Sequence, residues 1–270
     1  MSFSFSCPVC GDILFKADGS FKCENGHCFD IAKQGYVNLL CSQSSSLKRH
    51  GDDKLMVYSR TSFLDKGYYN CLMDRINERI GERTFDSMKF IDLGCGECSY
   101  TMRIAKEYPE IDIGGVDISK QALISGGKRC CDISLAVASV FNLPVVDGYC
   151  DGAMTVFSPH CVDEIKRILK SGGFWLNAYP LERHLMGLKS IVYDKPYLNE
   201  VNRDIPDGFN LLSRDEIRDI IRLKCNEDIL NLFRMTPYYY KTSASDQEKI
   251  ETVDSLITEI EFGIDVYVKA

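Results

Sequence analysis

The amino-acid sequence predicts a doubly wound α/β fold, an open Rossmann-like sheet with helices on both faces, preceded by a small metal-binding domain. Two observations support this prediction. Apolar segments typical of buried strands alternate with helical segments from Phe90 to Ala178, and the first of these strands ends in a glycine-rich turn. Closely spaced cysteine and histidine residues precede this region, between Cys7 and Cys28.

The amino-terminal segment carries two sets of metal-ligating residues. Cys7 and Cys10 form the first set, and Cys23 is followed closely by His27 and Cys28 in the second. This spacing suits a tetrahedral zinc ion, because each set can bind the metal from one tight turn. The spacing leaves the fourth ligand open between His27 and Cys28. Zinc here would be structural, since four protein ligands leave no coordination position for water.

The chain divides at a polar, serine-rich segment. Residues 15–22 are predicted to form a β-hairpin with Asp18-Gly19 at its tip. The serine-rich segment 41–46 marks a domain boundary, and residues 52–80 have helical periodicity with a break near Gly67. We therefore predict a zinc-binding β-hairpin domain at 1–40, a linker with connecting helices at 41–80 and the doubly wound domain at 81–270.

The glycine-rich turn is the strongest indication of a cofactor. The run Asp92-Leu93-Gly94-Cys95-Gly96-Glu97-Cys98 follows Phe90-Ile91, and glycines at 94 and 96 allow a ligand close to the backbone. An acid two residues before the first glycine suits S-adenosylmethionine (SAM), which carries an ammonium and a sulfonium, and suits a pyrophosphate badly. Ser99 also replaces the third glycine of the dinucleotide-binding fingerprint.

The segments after this turn continue the doubly wound pattern. Asp117 ends the second predicted strand, about 20 residues after the glycine turn, where an acid can accept hydrogen bonds from a ribose. Residues 150–157 are predicted as a strand and 164–170 as a helix stopped by Ser171-Gly172-Gly173. A strand at 174–178 follows. This order of elements is that of a right-handed, doubly wound sheet.

Composition and charge limit the function classes. The hydrophobic content of 45% and charged content of 26% are ordinary for a globular protein. Neither an apolar run near 18 residues nor a secretory signal is found, so we expect a cytoplasmic protein without a membrane partner. Thirteen cysteines in such a chain indicate reduced thiols and metal ligands. The net charge of −7 gives no support to a nucleic-acid partner.

An ordered set of short motifs extends through nearly the whole chain. The motifs are Cys-Pro-x-Cys at 7–10, then 29–30, 32–33, 35–40, 51–52, Met56, Arg60, 63–64, Gly67, Tyr69, 92–97, 117–119, 143–144, 172–173, 183–186, 188–189 and 235–237. In this order they closely resemble the bacterial large-subunit (23S) ribosomal RNA guanine-N1 methyltransferases. The resemblance implies a class I SAM-dependent enzyme that methylates N1 of a guanine in large-subunit ribosomal RNA.

The resemblance also implies roles for individual residues. The implied zinc ligands are Cys7, Cys10, Cys23 and His27, with Cys28 as a bystander. Tyr69, the Gly96-Glu97 turn and His184 fall where the family contacts SAM, and Asp117 is the ribose acid of the class I pattern. The predicted cofactor-binding set is Tyr69, Asp92, Gly94, Gly96, Glu97, Cys98, Asp117, Asn142 and His184.

Two positions depart from the family pattern. Cys98 stands where a third glycine is usual, so the backbone there must avoid positive φ or accept strain. Ser139 stands where many class I enzymes place an acid against adenine, which leaves adenine recognition to backbone groups or Asn142. No general base for the guanine N1 proton is identifiable. Residues 157–160 either border the target base, with Phe157 stacking on it, or form a strand-to-helix turn capped by Pro159.

The zinc domain is expected to grip structured RNA, whose target base must be unpaired or flipped. The candidate phosphate contacts are Lys22, Lys33, Lys48, Arg49 and Arg60. Two other functions stay open. A SAM-dependent methyltransferase for a small molecule would suit the acidic charge, and a non-catalytic RNA- or protein-binding module would suit the changes at Cys98 and Ser139. A homodimer that widens the RNA cleft is also compatible with the sequence.

Overall fold

The amino-terminal part of the chain forms a small antiparallel sheet. The computed structural model describes residues 3–40, 51–130 and 132–270. The small sheet contains β1 (Phe15–Ala17), β2 (Ser20–Lys22) and β3 (Cys28–Asp30), in that order. Asp18 and Gly19 connect β1 to β2 with φ angles of 49° and 76°, as a two-residue hairpin turn requires. The predicted hairpin and its tip are therefore confirmed.

A larger sheet forms the centre of the molecule. Its strands are β4 (Tyr36–Asn38), β5 (Lys89–Leu93), β6 (Asp112–Asp117), β7 (Ser134–Val137), β8 (Cys150–Val156), β9 (Leu169–Pro180), β10 (Phe209–Leu223) and β11 (Leu256–Lys269). They lie in the order β10-β11-β9-β8-β5-β6-β7-β4. The neighbours from β9 to β4 pair in parallel, and β11 is antiparallel to both β9 and β10. The predicted doubly wound sheet is thus confirmed.

Nine helices are found in the described residues. They are α1 (Lys54–Asp65), α2 (Asn70–Gly81), α3 (Ser99–Glu107), α4 (Lys120–Arg129), α5 (Val162–Ile168), α6 (Met186–Val192), α7 (Asn226–Arg234), α8 (Tyr238–Lys241) and α9 (Ala244–Glu251). The predicted break near Gly67 separates α1 from α2, where Gly67 has a φ of 81°. None of the described helices has the length and apolar character needed to cross a membrane.

One predicted boundary is wrong. Helix α5 ends at Ile168, and the glycines expected to stop it at 171–173 lie within β9. The reason is tertiary, because β8 offers a free edge and Leu169 already pairs with Cys150 at the start of β9. The register then shifts before Gly152 pairs with Phe174, which accommodates the glycines as an irregularity in the strand.

The sheet is covered on both faces because its strands alternate their apolar side chains. Phe90 faces a core shared with α2 and α3, whereas Ile91 faces a second core that includes the amino-terminal residues Phe3 and Phe5. Phe3 packs so closely on β6 that a Cβ at Gly114 would lie 2.6 Å from its ring. The amino-terminal part therefore packs directly on the sheet.

Backbone contacts also join the amino-terminal part to the larger sheet. Strand β4 pairs in parallel with β7, so that Tyr36 lies beside Leu135. The Ser6 N–H donates a hydrogen bond of 2.7 Å to the Pro144 carbonyl. The domain boundaries at 40 and 80 stay predictions, and the serine-rich segment 41–46 lies outside the described residues.

Candidate zinc and cofactor sites

The amino-terminal sheet brings four predicted metal ligands together. The ligand atoms of Cys7, Cys10, Cys23 and His27 all lie within 4.8 Å of one another. Sγ of Cys23 is 3.3 Å from Nδ1 of His27 and 3.6 Å from Sγ of Cys10. Three thiols and one imidazole are a donor set that suits tetrahedral zinc.

Each ligand pair lies on a tight turn closed by a glycine. The Gly11 N–H donates to the Cys7 carbonyl, and the Gly26 N–H donates to the Cys23 carbonyl. Cys28 is exposed in β3, opposite Lys22, and is not part of the group. The geometry thus favours His27 over Cys28 as the fourth ligand.

The glycine turn connects β5 to α3 at the carboxyl edge of the sheet. Gly94 has a φ of 82°, and a Cβ there would lie 2.4 Å from the Cβ of Ser158. Gly96 donates its N–H to the Asp117 carboxylate at 2.8 Å, and the Ser119 N–H donates to the other oxygen at 2.7 Å. Asp117 therefore fixes the turn against the end of β6. Each of its oxygens keeps a second lone pair for a ribose hydroxyl.

Two buried carboxylates beside the turn lack hydrogen-bond partners at one oxygen each. Oδ2 of Asp92 accepts from the Thr101 hydroxyl at 2.5 Å, while Oδ1 of Asp92 and Oε2 of Glu97 accept no hydrogen bond from the described residues. Burial, with the nearby charges of Asp117 and Glu97, raises the pKa of Asp92 to about 7. Oε2 of Glu97 forms a long ion pair with Arg60, 3.8 Å from its Nη1.

This arrangement fits a cationic ligand at the glycine turn. Unpartnered carboxylate oxygens that are buried raise the free energy of the folded state until a cation or donor binds them. The ammonium and sulfonium of SAM supply such charges. Asp92, Glu97 and Asp117 would therefore hold the cofactor, with Gly94 and Gly96 allowing it close to the backbone.

Cys98 has a positive φ, which is the strained one of the two alternatives that the sequence left open. It has a φ of 66° and a ψ of 23°, precedes α3 and is fully buried. Its Sγ packs against α4, where a Cβ at Gly126 would lie only 2.6 Å away. A side chain therefore occupies a left-handed position that normally favours glycine.

The predicted adenine region lies beyond β7. The Asn142 N–H donates to the Ser139 carbonyl at 3.2 Å, which closes a short turn, and the Asn142 side chain is exposed. The Ala138 N–H donates to the Asp117 carbonyl at 3.1 Å, so this turn lies at the same edge of the sheet as Asp117. Asn142 thus lies near the glycine turn with its side chain exposed.

Four rings form an aromatic cluster at the same edge, consisting of Tyr69, Phe157, His184 and Phe262. Their centroids lie 4.9 to 6.5 Å apart. Phe157 follows β8 with a φ of 54°, and its side chain is 43% exposed, while the other three rings are buried. Phe157 is therefore the member that a bound base can reach.

The hydrogen bonds of His184 define the protonation state and the tautomer of its imidazole. Its Nδ1 accepts from the Glu261 N–H at 3.2 Å, and its Nε2 lies 3.3 Å from the Tyr69 hydroxyl. Burial, with the charge of Lys189, lowers the pKa of His184 to about 3. His184 is thus neutral at working pH, with its proton on Nε2 directed at Tyr69. It is unsuited to accept a proton from substrate.

Comparisons with known proteins agree with these two sites. A zinc-ribbon family model described as RlmA, N-terminal, matches residues 5–48, and a methyltransferase-domain model matches residues 90–173. A Streptomyces fradiae protein named 23S rRNA (guanine(748)-N(1))-methyltransferase is 36% identical over 228 residues, covering 80% of this chain and 79% of that protein. The chain belongs to the 23S rRNA guanine-N1 methyltransferase family.

Two further proteins resemble the chain. The Bacillus subtilis protein YxjB is 32% identical over 200 residues, covering 71% of this chain and 70% of that protein. The crystal structure of YcgJ, also from Bacillus subtilis, aligns with a TM-score of 0.48 at 12% identity, over 73% of this chain and 97% of that one. Family membership confirms the predicted class I fold and the predicted pair of ligands, SAM and zinc.

Two contacts around the glycine turn and the aromatic cluster were not indicated by the sequence. Arg60, grouped above with the phosphate contacts, instead pairs with Asp52 at 2.5 Å and faces Glu97 at the glycine turn. Phe262, from β11, packs under His184. The Arg60–Glu97 contact joins α1 to the glycine turn and the Phe262–His184 contact joins β11 to the segment after β9, so no local pattern indicated either of them. Lys48 and Arg49 lie outside the described residues.

Proposed function

We propose that this protein transfers a methyl group from SAM to N1 of a guanine in large-subunit ribosomal RNA. The observation that carries the proposal is the combination of a Cys3His zinc group with a glycine turn flanked by two buried acids, in a chain of this family; one oxygen of each acid accepts no hydrogen bond from the described residues. The S. fradiae relative is named for this activity, and its similarity to this chain covers 79% of its length.

The cofactor side of the mechanism rests on charge and geometry. SAM, when bound, supplies an electrophilic methyl group, so the protein's task is mainly to orient two reactants and exclude water. Asp92 and Glu97 would bind the cationic methionine end, and Asp117 would bind the ribose. Arg60, which pairs with Asp52, offsets part of the negative charge of these three acids at the turn.

The base side of the mechanism rests on the aromatic cluster. The Ser158 hydroxyl donates to the Leu93 carbonyl at 2.6 Å, which holds the Phe157 segment directly over the glycine turn. A flipped guanine stacked on Phe157 would therefore lie beside the cofactor pocket. Tyr69 and His184 support Phe157 from below and keep water out.

The zinc ribbon offers a surface suited to RNA. Phe15 is paired across the hairpin with Lys22, and both side chains are exposed on the same face of the small sheet. An aromatic ring beside a cation suits stacking on a base with contact to a phosphate. Lys33 is exposed further along the ribbon. Recognition of the RNA by this face, pairing of two chains and a cytoplasmic location all remain parts of the proposal.

A methyl-transfer assay tests the function directly. Purified protein is incubated with labelled SAM and undermodified 23S ribosomal RNA, and the labelled nucleoside is identified by mass. We expect 1-methylguanosine, with primer extension mapping the position; the S. fradiae relative's name makes guanine 748 the first position to examine. If the protein binds SAM but transfers no label to the RNA, the proposed reaction on ribosomal RNA is wrong. A small-molecule methyltransferase would then be favoured.

A further inference from the structure

A group of tyrosines surrounds a buried lysine beside the aromatic cluster. Nζ of Lys189, on α6, lies 4.7 Å above the Tyr197 ring and 5.2 Å above the Tyr238 ring. Tyr193 completes the group, at centroid distances of 5.5 Å from Tyr197 and 6.3 Å from Tyr238. We call Lys189, Tyr193, Tyr197 and Tyr238 the tyrosine–lysine cluster.

Lys189 holds an irregular segment in place. The residue is fully buried, and its ammonium donates to the Tyr197 carbonyl at 3.0 Å and to Oδ1 of Asn199 at 2.7 Å. Within the described chain no carboxylate forms an ion pair with it. A buried cation with only neutral partners destabilises the fold unless its contacts are well formed. Its neutral partners all belong to the segment around Tyr197 and to Tyr238.

The cluster is continuous with the cofactor site. Asn199 donates its side-chain amide to the Leu181 carbonyl at 2.8 Å, three residues before His184, and accepts from the Tyr238 hydroxyl at 3.2 Å. Asn199 therefore joins the tyrosine–lysine cluster to the segment that carries His184.

The outer side of the cluster is exposed and carries unpaired cations. Tyr197 is 48% exposed, and Leu198 beside it is 53% exposed. Lys195 and Lys241 are exposed at its rim, and in the described parts of the chain neither has a carboxylate within ion-pairing distance. Thr242, next to Lys241, donates to the Tyr193 hydroxyl at 3.4 Å. The outer surface thus presents the exposed Tyr197 ring beside these two lysines, in a segment that also holds exposed Glu200 and Asp194, which pairs with Lys249 at 3.1 Å.

We propose that the tyrosine–lysine cluster is the platform on which unpaired RNA nucleotides flanking the target base stack. Lys189 is a positioning residue, whose buried ammonium holds Tyr197 in place. Lys195 and Lys241 contact the phosphates of the RNA. Single-stranded RNA is the partner favoured by exposed aromatic faces with adjacent lysines. The inference rests on the proposed function, because the platform is defined by its continuity with the base-binding edge.

Direct RNA binding tests the platform independently of methyl transfer. The Kd of an unstructured ten-nucleotide RNA is measured by fluorescence anisotropy for the wild type and for Tyr197→Ala, with S-adenosylhomocysteine present. We expect Tyr197→Ala to raise the Kd by about five- to a hundredfold, the effect of losing one stacked base, and Tyr197→Phe to restore it. The KM for 23S ribosomal RNA should rise in parallel, with the Kd for SAM unchanged.

Two further variants separate the platform from general effects. Phe85→Ala removes an equally exposed ring, 53% accessible, before β5 at the opposite edge of the sheet, and should leave RNA binding unchanged. Lys189→Met should weaken RNA binding in the wild type but add little in the Tyr197→Ala background, because Lys189 acts through Tyr197. This non-additivity would not arise from a loss of stability alone.

Several results would overturn the inference without touching the proposed function. One is a Tyr197→Ala variant that binds the oligonucleotide as tightly as the wild type, in a protein that methylates 23S ribosomal RNA. Another is a wild type that does not bind the oligonucleotide. A third is a Tyr197→Ala variant that changes only the sedimentation of the protein, which would make the surface a contact between chains. Absence of methylation with intact Tyr197-dependent binding would instead count against the proposed function.

Discussion

Three residues at the carboxyl edge of the sheet hold a backbone conformation that side chains rarely adopt. In the described parts of the chain, five residues other than glycine have positive φ, and Cys98, Phe157 and Leu185 are three of them. Each lies next to a candidate site residue: Cys98 ends the glycine turn, Phe157 is the exposed ring, and Leu185 follows His184. Strain of this kind concentrates where a site needs fixed geometry.

Substitution of Cys98 measures that strain. Alanine keeps a Cβ in the left-handed conformation, whereas glycine adopts it freely, so we expect Cys98→Gly to exceed Cys98→Ala in stability by about 1 kcal/mol. Both variants lose the buried Sγ, so their difference reflects the backbone conformation and the single buried Cβ that alanine keeps. Urea unfolding at one pH provides the measurement. Equal stability of the two variants would mean that position 98 is not strained in solution.

The raised pKa of Asp92 predicts how cofactor binding depends on pH. Asp92 must be ionised to pair with an ammonium, and its pKa is about 7 without a ligand. The Kd for SAM should therefore rise as pH falls below about 7, by at most about tenfold per pH unit. Calorimetry between pH 6 and pH 8 measures this change. Asp92→Asn should bind SAM weakly at every pH.

The same pKa shift has the opposite effect on the stability of the cofactor-free protein. Because the folded state holds the Asp92 proton up to about pH 7, it binds more protons than the unfolded chain between about pH 4 and pH 7. This contribution to the free energy of unfolding is therefore lost as pH rises through that range. Asp92→Asn should remove this part of the slope, and an unchanged slope would assign it to Asp117, whose pKa burial raises to about 6.

At the scale of elements, the zinc ribbon depends on its metal. Its three strands contain only three residues each, too few to fold alone. Cys23→Ser should abolish zinc binding and expose residues 3–40 to protease, because Cys23 is a buried member of the ligand group. Metal content by mass spectrometry and limited proteolysis give the two readouts.

Cys28 provides the matched control for that prediction. It is a cysteine of the same ribbon, exposed and outside the ligand group. Cys28→Ser should keep one zinc per chain and the wild-type proteolysis pattern. Loss of zinc from Cys28→Ser but not from a His27 variant would mean that Cys28 is the fourth ligand.

Elements with a local cause could be predicted from the sequence. The hairpin tip at Asp18-Gly19 and the glycine turn at 94–96 follow from residue types that tolerate positive φ, and the structure contains both. The end of α5 and the place of Arg60 could not be predicted in this way. The first depends on pairing with β8, and the second on the approach of Arg60 to Glu97 in the glycine turn.

At the scale of the whole molecule, one close approach joins the ribbon to the sheet. A Cβ on Gly127, in α4, would lie 1.8 Å from the carbonyl oxygen of Gln34, in the turn before β4. Gly127→Ala should push this turn away and loosen the β4–β7 pairing. We expect a loss of about 1–3 kcal/mol in stability and a higher KM for RNA, with little change in SAM affinity.

Ser125→Ala, two residues earlier in α4, controls for substitution in the same helix. This substitution should leave stability and the KM for RNA near wild-type values, because alanine favours helix and the change removes a single half-buried hydroxyl. If Gly127→Ala lowered SAM affinity as strongly as it raised the KM for RNA, the ribbon would be coupled to the cofactor site, and not only attached to the sheet.

The pairing of β4 with β7 has a consequence for synthesis on the ribosome. About one hundred residues separate the two strands in the chain, so β4 is made roughly 5 to 20 seconds before its partner. During that interval Phe3 and Phe5 have no sheet to pack against, and metal binding alone organises the nascent ribbon. Cells starved of zinc should therefore accumulate this protein as an aggregated or degraded product, even though the methyl-transfer site itself contains none of the four zinc ligands.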